Sequence, residues 1–347
     1  MPQPSSHSTV RFPLFAGIDV GGTNIKLGIV DDQGHSLAHG SFSTDPQGSA
    51  EAALQLAREK LDSMLGTLGY NWDQIAAVGL GTPGPMDLRR GLILTPSNLP
   101  GWHNAPLVSL LSGITGKPVT LANDAGAAAF GEYWVGSGQH YESLVLLTLG
   151  TGVGGGIIIG GQSLDGFHSH GAELGHLLVD SASDGLMCGC GQRGHLEAYA
   201  SATGLVERTR RLLGSAAGDR YRSSLVSRIS DSSPLSALMI AEEADRGDPL
   251  ALKLVMETAG YLGRGIADLA HVIDPAVFVL GGGMDFGGAA SALGQKFIGE
   301  VADTARKLIF PVLRETLEVQ FASLGGAAGY IGAAGLARHQ FQNKLNN

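Results

Sequence analysis

LFAGIDVGGTNIKLGIV, residues 14–30, is two apolar runs joined by a pair of glycines. LFAGIDV (14–20) reads as a buried strand, Gly21 and Gly22 as a turn, and IKLGIV (25–30) as a second strand; DDQG turns again and SLAHGSFST (36–44) makes a third. Such spacing predicts an antiparallel meander. A helix is expected over about 49–66, where Ala50, Ala53, Leu54, Ala57, Leu61, Met64 and Leu65 share one face. IAAVGL (75–80) and KPVTLAND (117–124) read as strands, and AGAAAFGEYW begins a helix.

The pattern then starts afresh. SLVLLTL (143–149), GTG and VGGGIIIG repeat the order strand, glycine turn, strand. VFVLGGG (277–283) is another strand running into glycines, preceded by a helix at about 249–272 with Asp248 as N-cap and Pro249 in its first turn. A C-terminal helix, about 326–340, is rich in Ala and Gly on one side and so suited to close packing. The chain is therefore expected to be α/β, with two halves alike in pattern rather than in identity. Each hairpin would offer backbone N–H groups to a ligand lying between the halves.

Composition narrows the class. Glycine makes up 53 of 347 residues, about twice the usual ~7%, and clusters at the ends of apolar runs, as tight turns and close approach to a ligand require. With 44% hydrophobic residues the chain has the material for a core. No uninterrupted apolar run has the ~18 residues of a membrane span. MPQPSSHSTVRFP is not a secretory signal and reads as a short leader, with the cytoplasm as the expected compartment. The net charge of −9, without a basic stripe, argues against a nucleic-acid partner. Residues 214–235 are Ser-rich and polar, and read as an insertion or loop.

Three glycine sets could hold phosphates. DVGGTNIK places Asp19, Gly21, Gly22, Thr23 and Lys26 around one turn. Amides and a hydroxyl there can donate to a polyanion, and the acid can hold Mg²⁺; an ordinary hairpin would also use such glycines. LGTGVGGG (149–156), with Gly150, Thr151 and Gly152, is followed by a strand rather than a helix, so it is not the dinucleotide fingerprint, and it lacks the Lys-Ser/Thr of a Walker loop. Gly281, Gly282 and Gly283 follow the third strand. Together the three sets point to a nucleotide site.

Read in order, DxGGTxxK, GTPGP, NDA, LGTGVGGG, GAELGH, a CxCGxxG loop ending in LE, and LGGG resemble the ROK family of sugar kinases and repressors, from about residue 15 to 336. The resemblance implies the actin-like, ribonuclease H-like ATPase fold with mixed sheets flanked by helices. A small lobe would take residues 12–125 with the C-terminal helix (about 326–347), and a large lobe 126–325. It implies Mg-ATP and a hexose as substrates, a homodimer or homotetramer, and a kinase for glucose, or alternatively for fructose, mannose or an N-acetylhexosamine. A non-catalytic, sugar-responsive regulator is the other class in the family; no helix-turn-helix pattern precedes residue 14.

Asn123 and Asp124 stand where a strand gives way to a helix. By position alone, Asp124 suits a helix cap or a general base; the resemblance makes it the base and Asn123 a sugar ligand. It likewise assigns Gly84, Asn98, Glu173, His176 and Glu197 to the sugar, whose hydroxyls carboxylates and amides recognise well. Trp102 reads equally as core or as a sugar contact. CGCGQRGHLE (188–197) holds both cysteines of the chain. A disulfide between neighbours so close would be strained. Zinc, which takes four N/S ligands, accounts for more: His176, Cys188, Cys190 and a fourth. Most family members carry a cysteine where this chain has His195, itself a competent ligand; His168 and His170 are the nearby competitors. Four protein ligands make such a zinc structural, a clip orienting His176 and Glu197.

Overall fold

The protein was analysed as a computed structural model, which describes residues 10–214, 223–230 and 232–346. Most of the expected leader and much of the Ser-rich segment 214–235 lie outside the described residues; within that segment Leu225–Arg228 is helical. The chain divides into two compact units.

Unit 1 comprises the chain through Gly136, Asp165–Gly171 and the segment from Gly326 onward. Its strands are β1 (Leu14–Val20), β2 (Asn24–Val30), β3 (Ser36–Ser43), β4 (Ile75–Thr82), the short pair β5 (Met86–Asp87) and β6 (Leu92–Ile93), and β7 (Val119–Asn123). The main sheet runs β3-β2-β1-β4-β7. The meander pairs antiparallel, whereas β4 and β7 join parallel to β1. Helix α1 (Ala50–Leu68) begins at Ser49, whose side chain accepts from Ala52 N, and ends at Gly69 in the left-handed conformation. Its face Ala50, Leu54, Ala57, Leu61 and Leu65 is buried, with Ala53 and Met64 packed at the margin. Burying each leucine stabilises by about 2 kcal/mol, which is why the 3.6-residue period decides where this helix lies.

Helix α2 (Leu107–Thr115) connects β6 to β7, and α3 (Asp124–Val135) follows β7 without a loop. The C-terminal helix (Ala328–Leu345) lies against α3 backbone to backbone: a Cβ on Gly332 would run into the Ala127 carbonyl, and one on Gly131 into that of Ala328. This contact keeps α3 with unit 1, so the unit extends past residue 125 to Gly136.

Unit 2 comprises Ser137–Leu164 and Ala172–Gly325. Its strands β8 (Ser143–Leu149), β9 (Val153–Ile159), β10 (Gln162–Ser163), β11 (Val277–Gly281) and β12 (Val319–Phe321) form a sheet in the order β10-β9-β8-β11-β12. β8–β9–β10 is antiparallel and β11 and β12 are parallel to β8, so unit 2 repeats the plan of unit 1. The helices are α4 (Leu196–Ala200), α5 (Ala202–Leu213), α6 (Leu225–Arg228), α7 (Ala237–Asp245), α8 (Pro249–Ile273) and α9 (Ala292–Leu308). Asp248 caps α8 as expected, accepting from Leu250 N at 3.0 Å and Ala251 N at 2.9 Å. Among the described residues no helix is long and apolar enough to cross a membrane.

Candidate active site

In unit 1 the register of β1 against β2 sets Asp19 directly opposite Lys26. The turn between them is drawn in by Gly21 N donating to Asn24 O at 3.0 Å, and tied to the end of β3 by Thr44 Oγ1 donating to Gly21 O at 2.7 Å. Gly22 and Thr23 remain exposed at its tip. The Asp19 carboxyl is pushed up to about 6, first by burial, then by the negative charge of Asp124, with Lys26 opposing. The residue as a whole keeps partial access to solvent. Room for it comes from the C-terminal helix, where a Cβ on Gly329 would strike the carboxylate; a Cβ on Gly326 would stand 3.2 Å from Lys26 Nζ.

The cap of α3 falls to Asn123, whose Oδ1 accepts from Ala125 N at 3.0 Å and Gly126 N at 3.2 Å. Asp124 is the first helical residue, and its Oδ1 also accepts from Ala125 N, at 2.8 Å. Strand end and helix start thus bring a second carboxylate beside Asp19 with its helix already capped by a neighbour. Asn123 turns its amide nitrogen to Gly84, where an added Cβ would stand 3.9 Å away, and Asn98 lies beside the first glycine turn, 3.3 Å from a Cβ on Gly22. Of the two readings of Trp102, the core holds: its side chain is 0% exposed.

In unit 2 the turn Gly150–Gly152 is anchored from behind. Ala202 N donates to Gly150 O at 2.8 Å and Thr203 Oγ1 to Thr151 O at 2.9 Å, both from the first residues of α5. Glu197, on α4, accepts from Val153 N at 3.1 Å, and a Cβ on Gly152 would collide with its carboxylate. Gly282 lies left-handed, at φ 94°, where only glycine clears the Leu149 carbonyl. Met284 N donates to that carbonyl at 3.0 Å, so the third glycine set abuts the base of the second. The turn carrying Glu173 and His176 lies on β9: a Cβ on Gly175 would meet the Val153 carbonyl.

His176, Cys188, Cys190 and His195 converge, with one ligand atom from each lying within 4.8 Å of all the others. Cys188 Sγ is 3.8 Å from His176 Nδ1, and Cys190 Sγ is 3.2 Å from His195 Nδ1. Tetrahedral zinc with bonds of about 2.0–2.3 Å spaces its ligand atoms roughly 3.3–3.8 Å apart, so the donor set fits after small side-chain adjustments. The cysteines are not joined as a disulfide, and His168 and His170 are not in the group. Burial, chiefly, pushes the Cys188 thiol up to about 11, so metal uptake must displace its proton.

The ROK family model matches residues 15–340. The chain belongs to the ROK family. A glucokinase of Thermotoga maritima is 34% identical over 325 residues, spanning 93% of this chain and 97% of that one. Among solved ROK structures, a hexokinase from Thermus thermophilus superposes with a TM-score of 0.78 at 34% identity, covering 95% of this chain and 99% of its own. A ROK glucokinase from Streptomyces griseus, solved with glucose and AMPPNP, gives 0.73 at 36% identity, covering 94% and 99%. The fold is the actin-like, ribonuclease H-type ATPase fold expected from the motifs.

Within this ROK frame, unit 1 gathers Asp19, Lys26, Asn123 and Asp124, and unit 2 gathers Glu197 with the second glycine loop and the His/Cys group. The sequence reading passed over the residues that hold these in place: Thr44, Ala202, Thr203 and Gly329. Ser201, which caps α5 by accepting from Gly204 N, was the one local signal available. The others are recognisable only by what they touch across the fold.

Proposed function

We propose that this protein phosphorylates glucose on its 6-hydroxyl from Mg-ATP, with Asp124 as general base. It is an ATP-dependent sugar kinase; sugar identity and residue roles are the further step. The observation that carries the reading is the pair of carboxylates in unit 1, Asp19 and Asp124, close enough for one charge to raise the other's pKa beside Lys26 and an exposed glycine turn. Two like charges held together in this way favour a divalent cation. Asp19 is the proposed carboxylate for Mg²⁺; Gly21, Gly22, Thr23 and Lys26 are the proposed phosphate-binding residues of unit 1, and Gly150, Thr151, Gly152, Gly281 and Gly282 those of unit 2. Asp124 takes the proton of the attacking hydroxyl. Gly84, Asn98, Asn123, Glu173, His176 and Glu197 are the proposed sugar ligands.

Zinc on His176, Cys188, Cys190 and His195 would brace Glu173–His176 against the loop ending in Glu197. With every ligand supplied by protein, it would add folding energy rather than a reactive water. The protein would act as a cytoplasmic homodimer or homotetramer.

ADP release measured with Mg-ATP across glucose, fructose, mannose and N-acetylated hexosamines tests the assignment. Glucose should give the highest kcat/KM. A preference for another of these sugars replaces the substrate and keeps the chemistry; release with none of them refutes the proposal.

A further inference from the structure

Tyr199 lies on α4, two residues after Glu197, and is 3% exposed. Its hydroxyl stands between two segments that the metal group depends on. It accepts from Leu186 N at 2.7 Å, two residues before Cys188, and donates to Asp180 Oδ2 at 2.6 Å. Asp180 is held by Ala182 N, which donates to its other oxygen at 3.0 Å. The far edge of the cysteine loop is already stitched to this segment, since Val179 N and Asp180 N both donate to Gly194 O, at 2.9 and 3.2 Å, and Gly194 N donates across the loop to Leu186 O at 3.0 Å.

The far side of Tyr199 is rigid. Its ring lies 4.2 Å from that of Tyr261 on α8, and its carbonyl accepts from the buried Arg208 guanidinium at 3.0 Å. Arg208 is fixed in turn by Thr258 and Glu257 of the same helix, at 2.9 and 2.6 Å. Cys188 packs against Tyr199 in a small buried cluster.

A buried tyrosine with a satisfied hydroxyl is often no more than core. Here the hydroxyl ties α4 to the segment that enters Cys188, while the ring packs on α8, and the same residue is one-half turn from Glu197. We propose that Tyr199 and Asp180 are positioning residues, which set the cysteine loop and the Glu197 carboxylate relative to each other. The proposal rests on the sugar-kinase and zinc readings above and adds the residues that hold their geometry. Partners of metal ligands in other sites typically change metal affinity by about 10–100-fold when removed, and a carboxylate displaced by a fraction of an ångström loses its hydrogen bonds to a sugar before it loses the fold.

The test uses the full-length protein with Tyr199→Phe, Asp180→Ala, Asp180→Asn and the Tyr199→Phe/Asp180→Ala double variant. Zinc affinity is read by competition with a chromophoric chelator, and steady-state kinetics give KM for glucose and for Mg-ATP separately. Tyr199→Phe should weaken zinc by about 10–100-fold and raise KM for glucose several-fold, with KM for Mg-ATP unchanged. Asp180→Ala should match it, the double variant should lose no more than either single one, and Asp180→Asn, which keeps an oxygen acceptor, should restore most of both values. Wild-type zinc affinity and glucose KM in Tyr199→Phe, with only the melting temperature lowered, would overturn the proposal and leave the kinase reading intact. A wild-type chain that takes up no zinc refutes the metal reading and this proposal with it. If the wild type phosphorylates no sugar, the zinc competition alone decides.

Discussion

β1–β2 and β8–β9 turn the same way in sheets of the same strand order, yet their loops are built from different chemistry. The first carries its charges on the strands themselves, Asp19 opposite Lys26, with a second carboxylate brought in by α3. The second carries none in Gly150–Gly152; its acid, Glu197, comes from a separate helix and is spent on a backbone N–H and on the space that Gly152 leaves. One backbone plan, used twice, therefore carries two different side-chain chemistries. The charged hairpin suits a cation and a moving proton, and the neutral one suits main-chain donation to a phosphate.

The sharpest break of that contrast is at Asp124. Asp124→Asn should cut kcat by about 10²–10⁴-fold, with glucose binding still measurable by calorimetry and the melting temperature little changed, because Asn123 continues to cap α3. Full turnover in this variant would remove the charged hairpin from the chemistry.

Asp19 gives the next largest effect, and it opposes function to stability. Its pKa is raised in the folded protein, to about 6 from 3.8. The stabilising contribution of the protonated form is therefore complete below pH 4 and is lost as pH rises through 6. Asp19→Asn should abolish most activity yet stabilise the ligand-free protein at pH 7–8, by up to about 3 kcal/mol, with no gain at pH 4. Denaturant unfolding at the two pH values measures this, and an equal effect at both would mean that the carboxyl is not strained by its surroundings.

For the neutral hairpin, Gly152→Ala should drive Cβ into Glu197. An overpacking cost of about 1–3 kcal/mol is expected, with KM rising for both substrates because the loop and the Glu197 carboxylate move together. Smaller still is chelator treatment followed by kinetics. Removing zinc should raise KM for glucose through the unit 2 ligands and leave the pH dependence set by Asp19 in unit 1 untouched. A matching shift in that pH profile would show that the two regions are not independent.

Much of this is legible in the sequence. The strands at 14–20, 143–149 and 277–281 were readable because buried strands are short apolar runs closed by glycine, and the helices at 50–68 and 249–273 because an apolar face and a cap repeat locally. α5, α7 and α9 escaped, since their apolar residues are interleaved with Ala, Gly and charges whose burial depends on neighbours distant in the chain; β12, three half-buried residues, is too short to show a period. The His/Cys group was legible in part. His176, Cys188, Cys190 and His195 were expected together and do converge, but the exclusion of His168 and His170 depends on the path of the chain between them.

By itself the sequence determined the two-fold repeat of strand, glycine turn and strand, the family, and the residue types that can do kinase chemistry, because periodicity, turn stereochemistry and motif spacing are local properties of the chain. Tertiary structure alone decided that Asn123 rather than Asp124 caps α3, that Trp102 is core, that Gly329 makes room for Asp19, and that Tyr199, packed on Tyr261 of α8, bonds the segment entering the cysteine loop. Each of these depends on atoms far apart in sequence meeting at a few ångströms, where burial, charge and excluded volume act and no linear pattern records them.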